Sequence, residues 1–523
     1  MKPAFSFGEI REVEKRIIEN DSFPSLILME NAGKNSYERI ISAFPDIDDY
    51  EVYIMTGKGN NAGDGFVIAR HLLIAGVNFT IVMASDESAL TGDALVNFGL
   101  LQKENNNLFE IIPFQQLEKS YNKKAKIIFI DALLGSGIKG KLNTDFEDVI
   151  NKINSLKEKN KKLKVISVDV PSGLMSGEQV NPIVNADFTI TMGSLKTELL
   201  YGRGKECAGD ILVVPIGISE EYTAKYNIYK KYAVTFEDVI GLFPRRKKSS
   251  YKYSNGKVLI IGGSTGLSGA VIMSSAAAMK SGAGAVISAI PDSISAHFSR
   301  KLTDIIKVIL PSNDDGSISE SSYSILSGRI KNSDAVLLGP GISLNGETGK
   351  FIFDIIKKCS KNMVIDADAL TVLAGDVNVL INREFDSEII LTPHIGEFSR
   401  LSKISTAELV LNRFEAVRDF AKKYHVNVVM KSETTFSCLK NGEIYINTSG
   451  NEGLGVVGSG DVLSGILVSL LGQTGDVYKT LVCGNYLHGF CSDLYYQKFG
   501  NKQSASQHDF IKFIPKAITQ FLD

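Results

Sequence analysis

The chain has 523 residues, 44% of them hydrophobic and 22% charged, which is the make-up of folded globular protein rather than of a disordered chain. Its 57 lysines and arginines against 59 aspartates and glutamates give a net charge of −2, which argues against nucleic acid as the main partner. Length alone allows about three domains. Cys207, Cys359, Cys438, Cys483 and Cys491 are scattered, with no Cys-x-x-Cys pair. Neither a zinc knuckle nor a redox pair is indicated, and reduced thiols in a cytoplasmic protein are expected. The start of the chain runs into the charged stretch Glu9–Glu19 with no apolar core, so no signal peptide is expected. Val258–Met279 carries no charge and is long enough to span a bilayer, but Gly262-Gly-Ser-Thr-Gly266 interrupts it. A strand, a glycine loop and a small-residue helix fit that segment better than a membrane span.

Helical periodicity marks Glu9–Asn20 and Ser25–Phe44. A strand over Glu51–Met55 leads into the glycine loop Gly57–Gly65 and a helix over Phe66–Ala75. Phe79–Met83, Ile127–Ile130, Lys164–Val168, Phe188–Met192 and Ile211–Val214 are short apolar runs of strand type. Such runs alternating with helices predict a parallel sheet covered on both faces. Near residue 225 the pattern pauses. Glu220–Tyr232 is polar and tyrosine-rich, and Phe243–Lys257 is basic through Arg245, Arg246, Lys247, Lys248, Lys252 and Lys257. The plain reading is a solvated linker or domain edge, and the sharper one a basic rim near a nucleotide site. The alternation then restarts with Val258–Ile261 and a helix over Ala270–Ser281. Strands follow at Ala285–Ile290, Ile306–Leu310, Ala335–Leu338, Met363–Ile365, Glu388–Leu391, Asn427–Met430 and Glu443–Asn447, and a helix at Val462–Leu471. Two doubly wound α/β domains are expected, 1–227 and 228–523.

No Gly-Lys pair is followed by Ser or Thr, which excludes the P-loop of phosphate-binding NTPases. The glycines need another reading. Gly57–Gly65 joins a strand to a helix and offers backbone N–H groups, with Asn60, Asn61 and Asp64 as oriented polar groups; a tight turn alone is the bland alternative. Asp131 and Asp169 each end a strand, where doubly wound sheets bind ligands, although such aspartates also cap helices. Lys196 could reach the same rim. In the second half, Asn451–Asp461 precedes a helix, and Gly458 and Gly460 let N–H groups converge on a phosphate. Asp461 stands where a carboxylate could take a proton from a hydroxyl. His394 sits in the strand-end loop Leu391–Glu397; His71, His297, His425, His488 and His508 read as packing or surface residues. Lys431–Thr435 follows a strand in a position suited to nucleotide contacts.

Together these motifs resemble a known family. Met29-Glu-Asn-Ala-Gly33, Gly57–Gly65, Asp131–Gly137 and Val168-Asp-Val-Pro-Ser-Gly173 resemble the NAD(P)H-hydrate epimerase domain, which is Rossmann-like. Gly256–Ser264, Lys280–Val286, Leu338–Gly341, Val364–Leu370, Leu391–Glu397 and Gly458–Asp461 resemble the ADP-dependent NAD(P)H-hydrate dehydratase domain, which is ribokinase-like. The resemblance covers nearly the whole chain, in family order.

The resemblance implies a bifunctional repair enzyme. It would interconvert the R and S forms of hydrated NADH and NADPH, and dehydrate the S form at the expense of ADP. In the epimerase site Asn60, Asn61, Ala62, Gly63 and Asp64, with Gly135, Ser136, Gly137, Ile138, Lys139, Gly140 and Lys141, would hold the dinucleotide. Asp169 would act on it with Lys196 as partner, and Asn61, Asp131 and Ser172 would ligate potassium, an oxygen-only set suited to a hard cation. In the dehydratase site Ala285, Gly341, His394 and Asp461 would contact the S-hydrate, and Asp461 would deprotonate its hydroxyl. Lys431, Ser432, Glu433, Thr434, Thr435 and Gly460 would bind ADP, or ATP, with magnesium. A homo-oligomer without membrane partners is expected. Three places depart from the family pattern: Gly455-Val456-Val457 for Ala-Thr-Gly, Ile395 for Pro and Ser432 for Gly. They leave open nucleotide preference and dehydratase rate, and Val456 and Val457 a non-catalytic dinucleotide-binding protein; Gly458–Asp461 alone would also allow a ribokinase-like kinase for a vitamin-precursor alcohol.

Overall fold

The computed structural model describes residues 1–104, 108–120, 125–251 and 254–523. The chain divides into two compact units, Lys2–Ile228 and Tyr229–Asp523, with Met1 grouped with the second.

In the first unit a seven-stranded sheet runs Phe109–Pro113, Phe79–Met83, Tyr50–Thr56, Lys126–Ala132, Leu163–Val168, Phe188–Met192, Asp210–Val214. Every pairing is parallel. Strand order therefore reverses between Tyr50–Thr56 and Lys126–Ala132, the switch point at which such sheets open a ligand crevice. Alternate residues fill two separate cores: Ile54, Ile81, Ile128 and Ile130 pack on one face, and Tyr53, Met55, Ile127 and Phe129 on the other. Covering both faces makes the strands read as unbroken apolar runs.

In the second unit the sheet runs Ile306–Leu310, Ala285–Pro291, Lys257–Ile261, Ala335–Leu338, Asn362–Ile365, Ile389–Leu391, Asn427–Met430, Phe436–Cys438, Ile444–Asn447, Lys231–Val234. It is parallel as far as Asn427–Met430, and Phe436–Cys438 pairs antiparallel with both neighbours. The order reverses between Lys257–Ile261 and Ala335–Leu338.

Several elements differ from expectation. The helix expected from Phe66 starts at Asn60 and runs to Ile74. Glycine, asparagine and aspartate are poor helix formers, but Asn61–Ala69 is continuously buried, and packing overrides propensity. The helix expected from Val462 likewise starts at Ser459. Glu220–Tyr232 holds the division between the units, as a domain edge, but is structured: Ser219 caps the helix Glu220–Lys225, and Lys231–Val234 joins the second sheet. Strands Lys2–Phe5, Phe109–Pro113, Leu195–Lys196 and Phe436–Cys438 add to those expected. Arg245 and Arg246 bond the Leu522 and Gly282 carbonyls, and Gly282 precedes the amino end of a strand, so this pair forms no rim at the crevice. Lys252 lies outside the described residues.

Gly33 fixes how helices Ser25–Ala43 and Asn60–Ile74 approach, because a Cβ there would stand 2.4 Å from Val67 Cβ. Gly33→Leu should therefore cost about 1–3 kcal/mol of overpacking, read by calorimetry as a lowered melting point of the first unit alone.

Candidate active sites

The first site lies at the switch point. Asp169 follows strand Leu163–Val168 in a left-handed backbone conformation, φ 67°, which non-glycine residues seldom adopt outside functional sites. Its Oδ1 pairs with Lys196 Nζ at 2.8 Å, and its Oδ2 accepts from the Ser136 amide at 3.3 Å. Lys196 is only 1% exposed, and Nζ also donates to Thr191 Oγ1 and the Met192 carbonyl. With these three contacts made, Lys196 orients Asp169 instead of reaching outward. Gly135 closes the gap: a Cβ there would lie 3.3 Å from Asp169 Oδ2 and 3.5 Å from Asn61 Cβ.

Not every residue expected around this crevice serves it equally. Asn61, in the first helical turn, and Asp64, just after it, are buried, whereas Asn60, Gly137, Lys139, Gly140 and Lys141 are exposed and Ile138 is half-buried. Ala62 and Gly63 are packing positions, since a Cβ on Gly63 would strike Met29 Sδ at 2.5 Å. Both polar atoms of the Asn61 side chain are buried without a hydrogen-bond partner, and Thr56 Oγ1 shares that state. Asp131 is wholly buried and accepts from Ser172 Oγ, the Ser172 amide and Ser167 Oγ at 2.5, 2.9 and 2.8 Å. Burial raises its carboxyl and these donors partly offset the rise.

A fourth acid belongs here that sequence reasoning missed. Glu14 lies on helix Phe7–Glu19, on the stripe with buried Phe7, Ile10 and Ile17. That helix is fixed beside Lys196 because Phe5 pairs with Lys196 and the Phe7 amide donates to Glu198. Burial pushes the Glu14 carboxyl up to about 7, against the opposing pull of Lys196 and with help from Asp169. Asp64 is raised well above the usual range by burial, then by Asp169 and Glu14. Only the three-residue spacing of an amphipathic helix hinted at Glu14.

The second site gathers at the carboxyl ends of its sheet. Lys431 Nζ pairs with Asp366 Oδ1 at 2.9 Å and lies 4.0 Å from Glu397 Oε2. Asp366, 1% exposed, also accepts from Thr392 Oγ1 at 2.7 Å. Asp368 accepts from the Ser343 amide, and burial raises its carboxyl. Gly458, at φ 91°, turns the chain into helix Ser459–Thr474, and no side chain caps that start. The first amides are thus offered to an anion. Asp461 is the third residue of this helix, and burial, with Asp366 behind it, pushes its carboxyl up to about 7. Gly460 abuts Lys431, a Cβ there falling 3.3 Å from Nζ.

Beside them lies a cavity of about 450 Å³, lined by Lys431–Thr435, Gly460 and, unexpectedly, His488. Within its wall Ser432 Oγ donates to the Thr434 carbonyl and Glu433 pairs with Arg413. His394 caps helix Ile395–Ser402, its Nδ1 accepting from the Gly396 and Glu397 amides. Nε2, on the half-exposed ring, lies 3.6 Å from Glu397 Oε1, and the Lys431 amide donates to the neighbouring Pro393 carbonyl. Ile395 takes the first helical position, where proline is favoured but not required. Val457 is 95% exposed at the loop tip.

Ala285 needs correction. It begins strand Ala285–Pro291, paired with Lys257, at the amino edge of the sheet, the opposite edge from Gly341, Asp366 and Lys431. The alanine beside Gly341 is Ala270, whose Cβ lies 3.2 Å from a Cβ built on Gly341. Asp366 and Glu397 lay inside recognised motifs, yet only the folded geometry shows them facing Lys431.

Residues 258–516 match the family model described as NAD(P)H-hydrate dehydratase, and residues 25–198 match the YjeF-related protein N-terminus. The Moorella thermoacetica bifunctional NAD(P)H-hydrate repair enzyme Nnr is 32% identical over 97% of this chain and 95% of its own. The chain belongs to the bifunctional NAD(P)H-hydrate repair enzyme family. The Dictyoglomus turgidum member is 30% identical, with 98% of both chains covered. Among solved structures, the Bacillus subtilis ADP/ATP-dependent NAD(P)H-hydrate dehydratase, co-crystallised with ATP and Mg2+, is 23% identical with a TM-score of 0.47, over 55% of this chain and 97% of that one. Glu14 falls outside the matched segments of this family member.

The raised Asp461 carboxyl has a stability consequence. Its proton is held more tightly folded than unfolded, so its contribution is full below about pH 4 and is lost as pH rises through about 7. Asp461→Asn should melt above the wild type at pH 8 and converge with it toward pH 4, in thermal melts across pH.

Proposed function

We propose that this chain epimerises hydrated NADH and NADPH in its first unit and dehydrates the S form in its second, consuming ADP to give AMP and phosphate. Full-length similarity to the bifunctional repair enzymes supports the pairing of activities. The observation that carries the chemistry is the pair of raised acids, Glu14 and Asp461, each beside a lysine–aspartate ion pair.

Epimerisation inverts ring carbon six, which carries the hydroxyl and is bonded to the ring nitrogen. Asp169 takes the hydroxyl proton, the carbon–nitrogen bond breaks with its electron pair on nitrogen, and protonated Glu14 supplies the proton that nitrogen needs. Closure on the opposite face reverses both transfers. Lys196 keeps Asp169 aimed and is a positioning residue. Acid and base of different protonation state in one pocket is the requirement for such chemistry near neutral pH.

In the second unit Asp461 takes the hydroxyl proton of the S-hydrate. The oxygen attacks the terminal phosphoryl group of ADP, and the bond to AMP breaks with its electrons on AMP. Lys431 and the amides at Gly460 would neutralise the transferring charge. Loss of phosphate from carbon six and of a proton from carbon five restores the reduced ring. Gly341 and Ala270 would border the hydrate, and His394 Nε2 would face it. Among the described residues no cluster of three His, Cys, Asp or Glu is arranged for a metal, so Mg2+ would arrive with the nucleotide.

Asn61, Asp131 and Ser172 would hold potassium. Asn61, with unpartnered buried atoms, and an oxygen-only donor set fit that ion. A bound cation would offset the buried Asp131 charge. The cytoplasm suits five free, buried cysteines, and no helix among the described residues is long and apolar enough to cross a membrane. Self-association into a homo-oligomer belongs to the same reading and is read by light scattering.

Purified protein given S-hydrated NADH and ADP should restore the reduced-nicotinamide absorbance, and Asp461→Asn should abolish that recovery while epimerisation persists. No recovery by the wild type would contradict the reading. The epimerase rate should fall as pH rises through about 7. Glu14→Gln should lose that limb and about 10²–10⁴ of the rate, measured by chromatographic separation of the epimers. Potassium in place of sodium should raise the melting point of the first unit, and Asn61→Ala should erase the difference.

A further inference from the structure

Helix Val477–Phe499 meets the second unit's cavity through a face that the mechanism leaves unused. That face holds the strap Ser449–Gly455, most of which lines the cavity. Gly489 lets the strap approach: a Cβ there would stand 2.3 Å from Ser449 Oγ, which donates to the Tyr486 carbonyl. The Asn451 amide donates to Ser492 Oγ at 3.2 Å. Asp493 meets the strap with both oxygens, Oδ2 accepting from the Gly450 amide and Oδ1 from Asn451 Nδ2, each at 2.8 Å. Both partners are donors, so a carboxylate satisfies the two together, whereas a side-chain amide would turn its own N–H2 against one of them. The bonds continue toward the phosphate end. Asn451 Oδ1 accepts from the Gly453 amide at 3.0 Å and caps the short turn Glu452–Leu454. The Leu454 carbonyl accepts from Ser459 Oγ at 2.8 Å, and Ser459 opens the helix that carries Gly460 and Asp461.

We propose that Asp493 is a positioning residue for the phosphoryl donor: it fixes the cavity wall Ser449–Gly455 and, through Asn451 and Leu454, the start of helix Ser459–Thr474, so that the nucleotide enters a preformed cavity. This rests on the nucleotide reading of the cavity given above. Asp493 acts through the strap and not on the nucleotide itself. A wall already ordered before binding spares the nucleotide the cost of ordering it, which is read as affinity.

The test uses the polarity of the bond between Asp493 and Asn451. Asp493→Asn turns an N–H2 against one of the two donors, and Asn451→Asp sets carboxylate against carboxylate. The double variant reverses the bond: the new amide at 493 accepts from the Gly450 amide and donates to the new carboxylate at 451, which still accepts from Gly453. KM for ADP, KM for S-hydrated NADH and kcat are measured on the full chain for the wild type, both single variants and the double variant, with calorimetric melts of each. Each single variant should raise KM for ADP about tenfold, while kcat and the KM for the hydrate move far less. The double variant should return KM for ADP most of the way to the wild-type value, the non-additivity expected of one shared bond. An unchanged KM for ADP in Asp493→Asn would overturn the proposal, and so would a double variant impaired by the product of the single effects. A single variant that no longer melts cooperatively would overturn it too, because Asp493 would then serve folding rather than the cavity. A wild type inactive with ADP would instead overturn the nucleotide reading itself, so the two failures are distinct.

Discussion

Lys196 is buried and Lys431 largely covered, and each is held within 2.9 Å of a carboxylate at the end of a parallel sheet. Removing a charge from water costs several kcal/mol, so such a lysine persists only where its partner and hydrogen bonds are fixed. That demand fixes the rest of each site. Asp169 must adopt a left-handed backbone to meet Lys196, and Asp366 must be held by Thr392 to meet Lys431. Further carboxyls that crowd these pairs face burial and like charge together, and they keep their protons to higher pH. Glu14 and Asp461 are the outcome.

The two units reach this arrangement by the same topological route. Each sheet reverses its strand order once, and each site opens on the carboxyl side of its sheet. The loops there need backbone freedom and close approach, which explains where many of the 47 glycines are spent. Gly135 lets a loop pass against Asp169, and Gly458 turns the chain so that a helix start faces the cavity. On the proposed reading phosphate would be met by local N–H groups and one lysine, for which a near-neutral protein suffices.

Much of this was legible in the sequence, because sheets buried on both faces leave short apolar runs that need no partner to be recognised. Motif order singled out Asp169, Asp461 and Lys431, and the fold gathers each beside other buried charges. What was not legible depends on contacts distant in sequence. Asn60–Asp64 reads as loop by propensity and is helix because Gly63 packs on Met29. Ala285 fits a motif window but begins its strand at the wrong edge, while Ala270 abuts Gly341. Glu14 enters its pocket through a strand pairing between Phe5 and Lys196, and His488 enters its cavity from a helix in the last fifty residues. Beyond the amphipathic spacing of its helix Glu14 has no local signature, and His488 has none.

The central claim is that two independent acid–base sites, one in each unit, act in sequence on the two epimers. The most direct measurement is the end point of absorbance recovery from an equal mixture of R- and S-hydrated NADH with excess ADP, compared between wild type and Asp169→Asn. The account predicts complete recovery by the wild type and arrest at about half by Asp169→Asn, because only the S share is dehydrated before uncatalysed inversion intervenes. Complete recovery by Asp169→Asn at the wild-type rate would contradict it.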